Sequence, residues 1–150
     1  MRVLVQRVSE ASVAIENEIH SKIGSGVLIL LGIENEDNQE DIDWLCAKIA
    51  KLRIFPDAEG IMNLSLMDTK GDALVVSQFT LHASTKKGNR PSYIKAARPE
   101  VAIPLYEEFV SRLTQVLDKE IATGEFGADM KIRLINDGPV SIWIDSKSKE

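Results

Sequence analysis

Cysteine occurs only once among the 150 residues, so no disulfide can form within the chain. That suits a reducing compartment. Two histidines and one cysteine cannot supply a zinc site with the usual ligand spacing, and no metal or other cofactor is expected. Long apolar runs are missing too. The longest, residues 27–33, has seven residues even counting Gly32, whereas a membrane span needs about 18. Near the N-terminus Gln6 and Arg7 interrupt the apolar stretch before the apolar core of a secretory signal can form. A cytoplasmic protein with no membrane contact is the expectation. The acidic run 34–41 lacks the glycine that a calcium loop needs at its sixth position, so it reads as a solvated turn. Disorder is not expected, since 44% of the residues are hydrophobic and 27% charged.

One absence is local. No acid occurs in residues 77–98, where Lys86, Lys87, Arg90, Lys95 and Arg98 contribute +5. The net charge is −5, so the remainder carries −10. Such a chain repels polyanions everywhere except along one stretch, where one can dock in a defined orientation. A solvated basic loop is the plainer reading.

The length suits a single domain spanning residues 1–150. An imperfect period of two marks a strand over residues 2–9, and Val13 and Ile15 mark a second over 11–15. Asn17 and Glu18 turn the chain into a strand over 19–23, and Gly24-Ser25-Gly26 breaks it. The continuous run 27–33 suits a strand buried on both faces. Ile42, Leu45, Cys46 and Ile49 then follow a helical period, with Asp37 and Glu40 resembling a capping box. Pro56 and Gly60 mark a loop, and 73–79 reads as a strand. Residues 80–98 read as one long loop, a length that in compact domains is usually functional or disordered. A second helix starts near Pro99–Pro104, with Leu105, Phe109, Leu113, Val116 and Leu117 as its stripe. Two last strands, 130–135 and 140–144, flank Asn136-Asp137-Gly138-Pro139, which reads as a hairpin turn. The polar tail 146–150 is expected to fray. The sum is an α+β fold: a mainly antiparallel, curved or barrel-like sheet with two principal helices packed on it.

Catalytic candidates are few. No Gly-x-Ser-x-Gly run exists. Ser77 and Thr80 are nucleophile candidates near His82, but on a continuing strand they point to opposite faces, and no third orienting group is evident. His82 reads as a surface loop residue, His20 as part of a hairpin, and Cys46 as an inert core thiol.

Two motifs point further. Ser77-Gln78-Phe79-Thr80-Leu81, followed by Thr85-Lys86-Lys87-Gly88-Asn89-Arg90-Pro91-Ser92, resembles the first signature of the D-aminoacyl-tRNA deacylases. Phe126-Gly127-Ala128-Asp129-Met130, then Asn136-Asp137-Gly138-Pro139-Val140-Ser141, resembles the second. Met1-Arg2-Val3-Leu4-Val5-Gln6-Arg7-Val8 with Ala11-Ser12-Val13 also matches, so the resemblance covers essentially the whole chain. Ser141 departs from the family's more usual threonine but keeps the hydroxyl.

The resemblance implies a homodimer that hydrolyses the ester joining a D-amino acid, or glycine mischarged on tRNA for alanine, to the terminal adenosine of tRNA. It places Ser77, Gln78, Phe79 and Thr80 in the catalytic pocket. It makes Gly138 and Pro139, joined by a cis bond and flanked by Asn136 and Val140, a filter that enters the partner subunit's pocket and rejects L-aminoacyl esters sterically. It leaves much of the proton handling to the tRNA 2′-hydroxyl. It gives Lys86, Lys87, Arg90, Lys95 and Arg98 the phosphates of the acceptor end as partner. Two alternatives remain open. One is a nucleic-acid-binding module without hydrolysis, with Tyr93 available for stacking. The other is an esterase with Ser77 or Thr80 as nucleophile.

Overall fold

A computed structural model describes residues 1–150. The organising element is β1 (Arg2–Ile15), a 14-residue strand with neighbours on both edges. One edge pairs antiparallel with β2 (Glu18–Ile23) and then with β3 (Gly26–Gly32). The other runs antiparallel along β8 (Met130–Asp145). The two strands expected over 2–9 and 11–15 are thus one. The alternation is imperfect because the register with β8 shifts on both sides of Val8. Before the shift Val3 and Val5 face one core; after it Val8, Ala11 and Val13 face another.

Past β3 the sheet continues through β6 (Asp72–Ser77) to the short β7 (Ala122–Thr123), and both these pairings are parallel. The sheet is therefore mixed, with its antiparallel part around β1. Residues 27–33 were expected to be buried on both sides, and β3 is: Val27, Ile29 and Leu31 join the larger core while Leu28 joins the smaller. β6 divides in the same way, Ala73 and Val75 against Leu74 and Val76.

The larger core lies between the sheet and two helices, α1 (Gln39–Lys51) and α3 (Pro99–Leu117). Ile42, Leu45, Cys46 and Ile49 of α1 are buried as their spacing predicts, and Phe109 and Leu113 of α3 join them. The capping box sits one residue later than expected: Asn38 caps, and Asp41 returns the hydrogen bond to the Asn38 N–H at 2.9 Å. Burial pushes the Cys46 thiol up to about 12, as befits an inert core residue. A small hairpin of β4 (Phe55–Pro56) and β5 (Met62–Leu64) and a one-turn helix α2 (Leu66–Thr69) occupy the segment read as loop. They are too short to leave a periodic signal. No helix is long and apolar enough to cross a membrane.

The tail does not fray at its start. Ser146 is buried; its N–H donates to the Met1 carbonyl at 2.9 Å, and its hydroxyl accepts from the Met1 ammonium at 2.9 Å. The same ammonium pairs with buried Asp37. Burial lifts the Asp37 carboxyl above the usual range, against the pull of that ammonium. Lys147 pairs with Asp41 at 2.7 Å, so the tail is fastened to the start of α1.

Candidate active site

β8 pairs with β1 alone, and β7 at the other end of the sheet does not bond to it. The sheet curls toward closure without completing it. At the seam, Gly124 just past β7 lies so close to Met130 that a Cβ there would fall 2.5 Å from the Met130 sulfur. Beside this seam is a cavity of about 300 Å³. Ser77, Gln78 and Phe79 form one side; Phe126, Asp129, Met130 and Ile132 form the other. Two segments some 50 residues apart in sequence thus share one mostly apolar pocket. Tyr106 supports both. Its hydroxyl donates to the Val75 carbonyl at 2.8 Å, and its ring meets Phe126 edge to face at 6.0 Å. Burial pushes this phenol up to about 12, so it stays a neutral donor.

The expected strand 73–79 stops at Ser77. The Gln78 N–H donates to the Leu31 carbonyl at 2.7 Å, and a 3-10 turn, Phe79–His82, begins. Strand alternation therefore does not set the directions of Ser77 and Thr80. The Thr80 hydroxyl accepts a hydrogen bond from the Gln78 amide and is not among the groups lining the cavity. The Leu81 N–H is taken by the Gln78 carbonyl at 3.2 Å. The amides of Phe79 and Thr80, ahead of it, have no partner inside the turn. Phe79 is 54% exposed at the mouth of the cavity, edge-on to Tyr93 at 5.0 Å.

His82 is not a surface residue. It is 1% exposed under this turn, and neither ring nitrogen makes a hydrogen bond of good geometry. Burial pushes its pKa below the ordinary imidazole value, against a weaker upward pull from the Gly32 backbone. Neither ring nitrogen bonds the Thr80 hydroxyl, which is held by Gln78 instead. The sequence could not show this, because a lone histidine in an aperiodic segment carries no burial signal.

The segment 136–139 is not a hairpin turn. The strand runs straight through it: Asn136 pairs with Val8 and Ser141 with Gln6, so four residues of β8 stand opposite Arg7 alone. They bulge outward, with Asp137, Gly138 and Pro139 exposed. The Gly138–Pro139 bond is cis. Asn136 spans the base of the bulge, accepting from the Val140 N–H at 2.9 Å and donating to the Ser141 hydroxyl at 2.9 Å. Val140 turns back and packs against the larger core. Arg7 was not singled out by its sequence, yet it fixes the bulge. Its Nε donates to the Asp137 carbonyl at 2.7 Å, and Nη1 reaches the buried Ile54 carbonyl. Gly138 has φ +138°, and a Cβ there would sit 2.7 Å from Arg7 Nη2, so only glycine fits without a shift. Neither Gly138 nor Pro139 lines the cavity of its own chain.

Lys86, Lys87, Arg90, Lys95 and Arg98 are all exposed, and none forms an ion pair. Their segment is better ordered than a long loop. Ser84 and Ser92 exchange both backbone hydrogen bonds, at 2.8 and 3.0 Å, and Ala97 N–H donates to the Ile33 carbonyl at 2.9 Å.

Comparison with known proteins gives the family and the fold. The family described as D-Tyr-tRNA(Tyr) deacylase matches residues 4–145. A D-aminoacyl-tRNA deacylase of Bacteroides thetaiotaomicron is 65% identical over 150 residues, all of both chains. One of Porphyromonas gingivalis is 62% identical over the same span. A solved structure named c-Myc DNA Unwinding Element Binding Protein is 40% identical, with a TM-score of 0.91 over 97% of this chain and 98% of that one. A probable eukaryotic D-amino acid tRNA deacylase, 17% identical, shares the fold with a TM-score of 0.82 over 95% and 97% of the two chains.

Proposed function

This chain belongs to the D-Tyr-tRNA(Tyr) deacylase family, and from that premise we infer that it is a D-aminoacyl-tRNA deacylase, a hydrolase that frees the amino acid from tRNA. The observation that carries the reading is the single cavity built from both signature segments beside a run of unpaired cations. We further propose one domain, residues 1–150, acting in translational proofreading in the cytoplasm, without a metal or other cofactor.

The finer reading concerns selection. Gly138 and Pro139 project from a clamped bulge and leave their own cavity unfilled, so a second copy is the natural supplier. In a homodimer the bulge of each subunit then occupies the place an L side chain would need. Discrimination by a clash does not require the D side chain to be recognised, and glycine on tRNA for alanine passes as well. The cations at residues 86–98 hold the acceptor-end phosphates.

The chemistry asks little of side chains. Water adds to the ester carbonyl, the bond from that carbon to the ribose 3′ oxygen breaks, and the proton lost by water ends on that oxygen. The neighbouring 2′-hydroxyl relays it. The free amides of Phe79 and Thr80 suit the oxyanion that develops on the carbonyl oxygen. Ser77 and Gln78 shape the cavity wall. Thr80, bonded to Gln78, is a positioning residue.

The test is release of D-tyrosine and of L-tyrosine from the same tRNA by purified protein. Rapid loss of the D ester alone is expected, and Gly138→Val lowers the ratio of the D to the L rate. Equal loss of both esters by the native chain overturns the filter. Loss of single-turnover cleavage in Thr80→Val, with binding intact, would make Thr80 a chemical participant and revive the esterase reading. One observation favours a binding module instead: the name carried by the 40% identical structure. That reading gains if tRNA binds and neither ester is cleaved.

A further inference from the structure

We propose that the turn 93–96 is a docking shelf for the nucleotide preceding the terminal adenosine of a single-stranded 3′ end. The inference rests on the deacylase reading and deepens it.

The shelf begins at the cavity mouth. Tyr93, itself exposed, stands edge-on to Phe79 with ring planes at 77°. The Ala96 N–H donates to the Tyr93 carbonyl at 3.0 Å and closes a turn that places Ile94 and Lys95 at its corner. Ile94 is 89% exposed, the most exposed large apolar side chain of the protein. The turn is held on both sides, by the paired backbones of Ser84 and Ser92 and by the bond from Ala97 to Ile33. Ala97 and Ile33 both line the cavity, so the shelf is fixed to the cavity wall.

An exposed aromatic and an exposed aliphatic on a pre-formed turn favour a flat, apolar-faced ligand. The surroundings define it further. The segment contains no acid, and Lys95 at the corner of the turn and Arg98 just past it are unpaired. Apolar surface set among uncompensated cations fits a base carried on phosphate, which stacks without demanding a sequence. On the deacylase reading the cavity, at about 300 Å³, takes the reacting end. The shelf lies outside it and so takes the next residue of the strand.

The experiment compares two minimal substrates, 3′-D-tyrosyl adenosine and 3′-D-tyrosyl cytidylyl-adenosine, on the native chain, Ile94→Ser, Tyr93→Ala and Tyr93→Phe. The native chain should show a lower KM for the dinucleotide. Ile94→Ser should erase that advantage, ~10-fold, with kcat unmoved, while Tyr93→Ala should erase it and Tyr93→Phe should keep it. Titration with uncharged cytidylyl-adenosine and adenosine gives the same comparison without turnover. A native chain that cleaves neither ester yet binds the dinucleotide better, with Ile94→Ser losing that preference, sinks the deacylase reading and keeps the shelf. KM rising equally for both substrates would reduce Tyr93 to a buttress for Phe79 and overturn the proposal. So would an unchanged ratio in Ile94→Ser, or a change in sedimentation showing that Ile94 lies between two copies of the chain.

Discussion

The two signature segments are built in opposite ways. Ser77 to Phe79 leave the end of a strand buried on both faces and are held by backbone bonds into the sheet and by the core beneath. Gly138 and Pro139 project from a strand that pairs on one edge only, and side chains brace them, Arg7 from β1 and Asn136 from the base of the bulge itself. The first segment lines the cavity of its own chain, whereas the second is shaped and fastened away from it. Precision can thus come from apolar packing in one case and from polar bracing in the other, and the two should fail differently.

The largest expected effect strikes the packed side. Phe109→Ala opens a cavity in the larger core and should cost about 3–5 kcal/mol in urea unfolding, with activity lost as the fold is lost. Arg7→Leu probes the braced side. It removes the donors to the Asp137 and buried Ile54 carbonyls and should cost about 1–3 kcal/mol. Here the selectivity between D and L esters should drop by more than the stability loss explains. A variant with unchanged selectivity would show that the bulge holds its shape without the guanidinium. Asn136→Ala should cost about 1 kcal/mol, read as a small shift in melting temperature, with the same bias toward selectivity.

The smallest effect is a pH dependence, and it returns to the packed side. Burial keeps His82 neutral in the fold, so its pKa lies below that of the unfolded chain. Between those two values the unfolded chain binds the extra proton, and stability rises with pH. Stability should therefore fall as pH drops below about 6.5, the ordinary imidazole value. The charges of Arg2 and the Met1 ammonium oppose protonation of the ring, and that of Glu34 favours it. His82→Leu should flatten this part of the stability profile, and an unflattened profile would assign the slope to other groups.

Much of the fold was legible. Helix periodicity located α1 and α3, and the unbroken run 27–33 told that β3 is buried on both faces, because burial leaves a pattern in the residues that undergo it. The parallel pairing of β3 with β6 left no such mark, since pattern reports faces and not neighbours. Strand alternation misled at Phe79, where the 3-10 turn depends on a bond from Gln78 to Leu31, distant in sequence. Residues 136–139 carry turn-forming composition, and only the long partner strand shows that they interrupt a strand without ending it. In the site, the motifs contain Ser77, Gln78 and Phe79 on one wall and Phe126 to Met130 on the other, but Leu31, Ile33 and Ala102 line the cavity from outside them and Thr80 does not line it. Arg7 lay within a matching stretch but received no role, because its task is to hold other residues and its own sequence neighbourhood is an ordinary strand. His82 was misplaced for the reverse reason, as a polar residue in a polar stretch that nevertheless turns inward.

The outward bulge also has a consequence in mass action. A filter donated by a neighbour is a ligand, and its occupancy depends on how many neighbours are present. On this reading, dilution would strip discrimination from the protein before it stripped the pocket of its shape. Fidelity would then be a property of the population, tied to how much of the chain a cell keeps, while the capacity to bind an adenosine end would stay with each molecule alone.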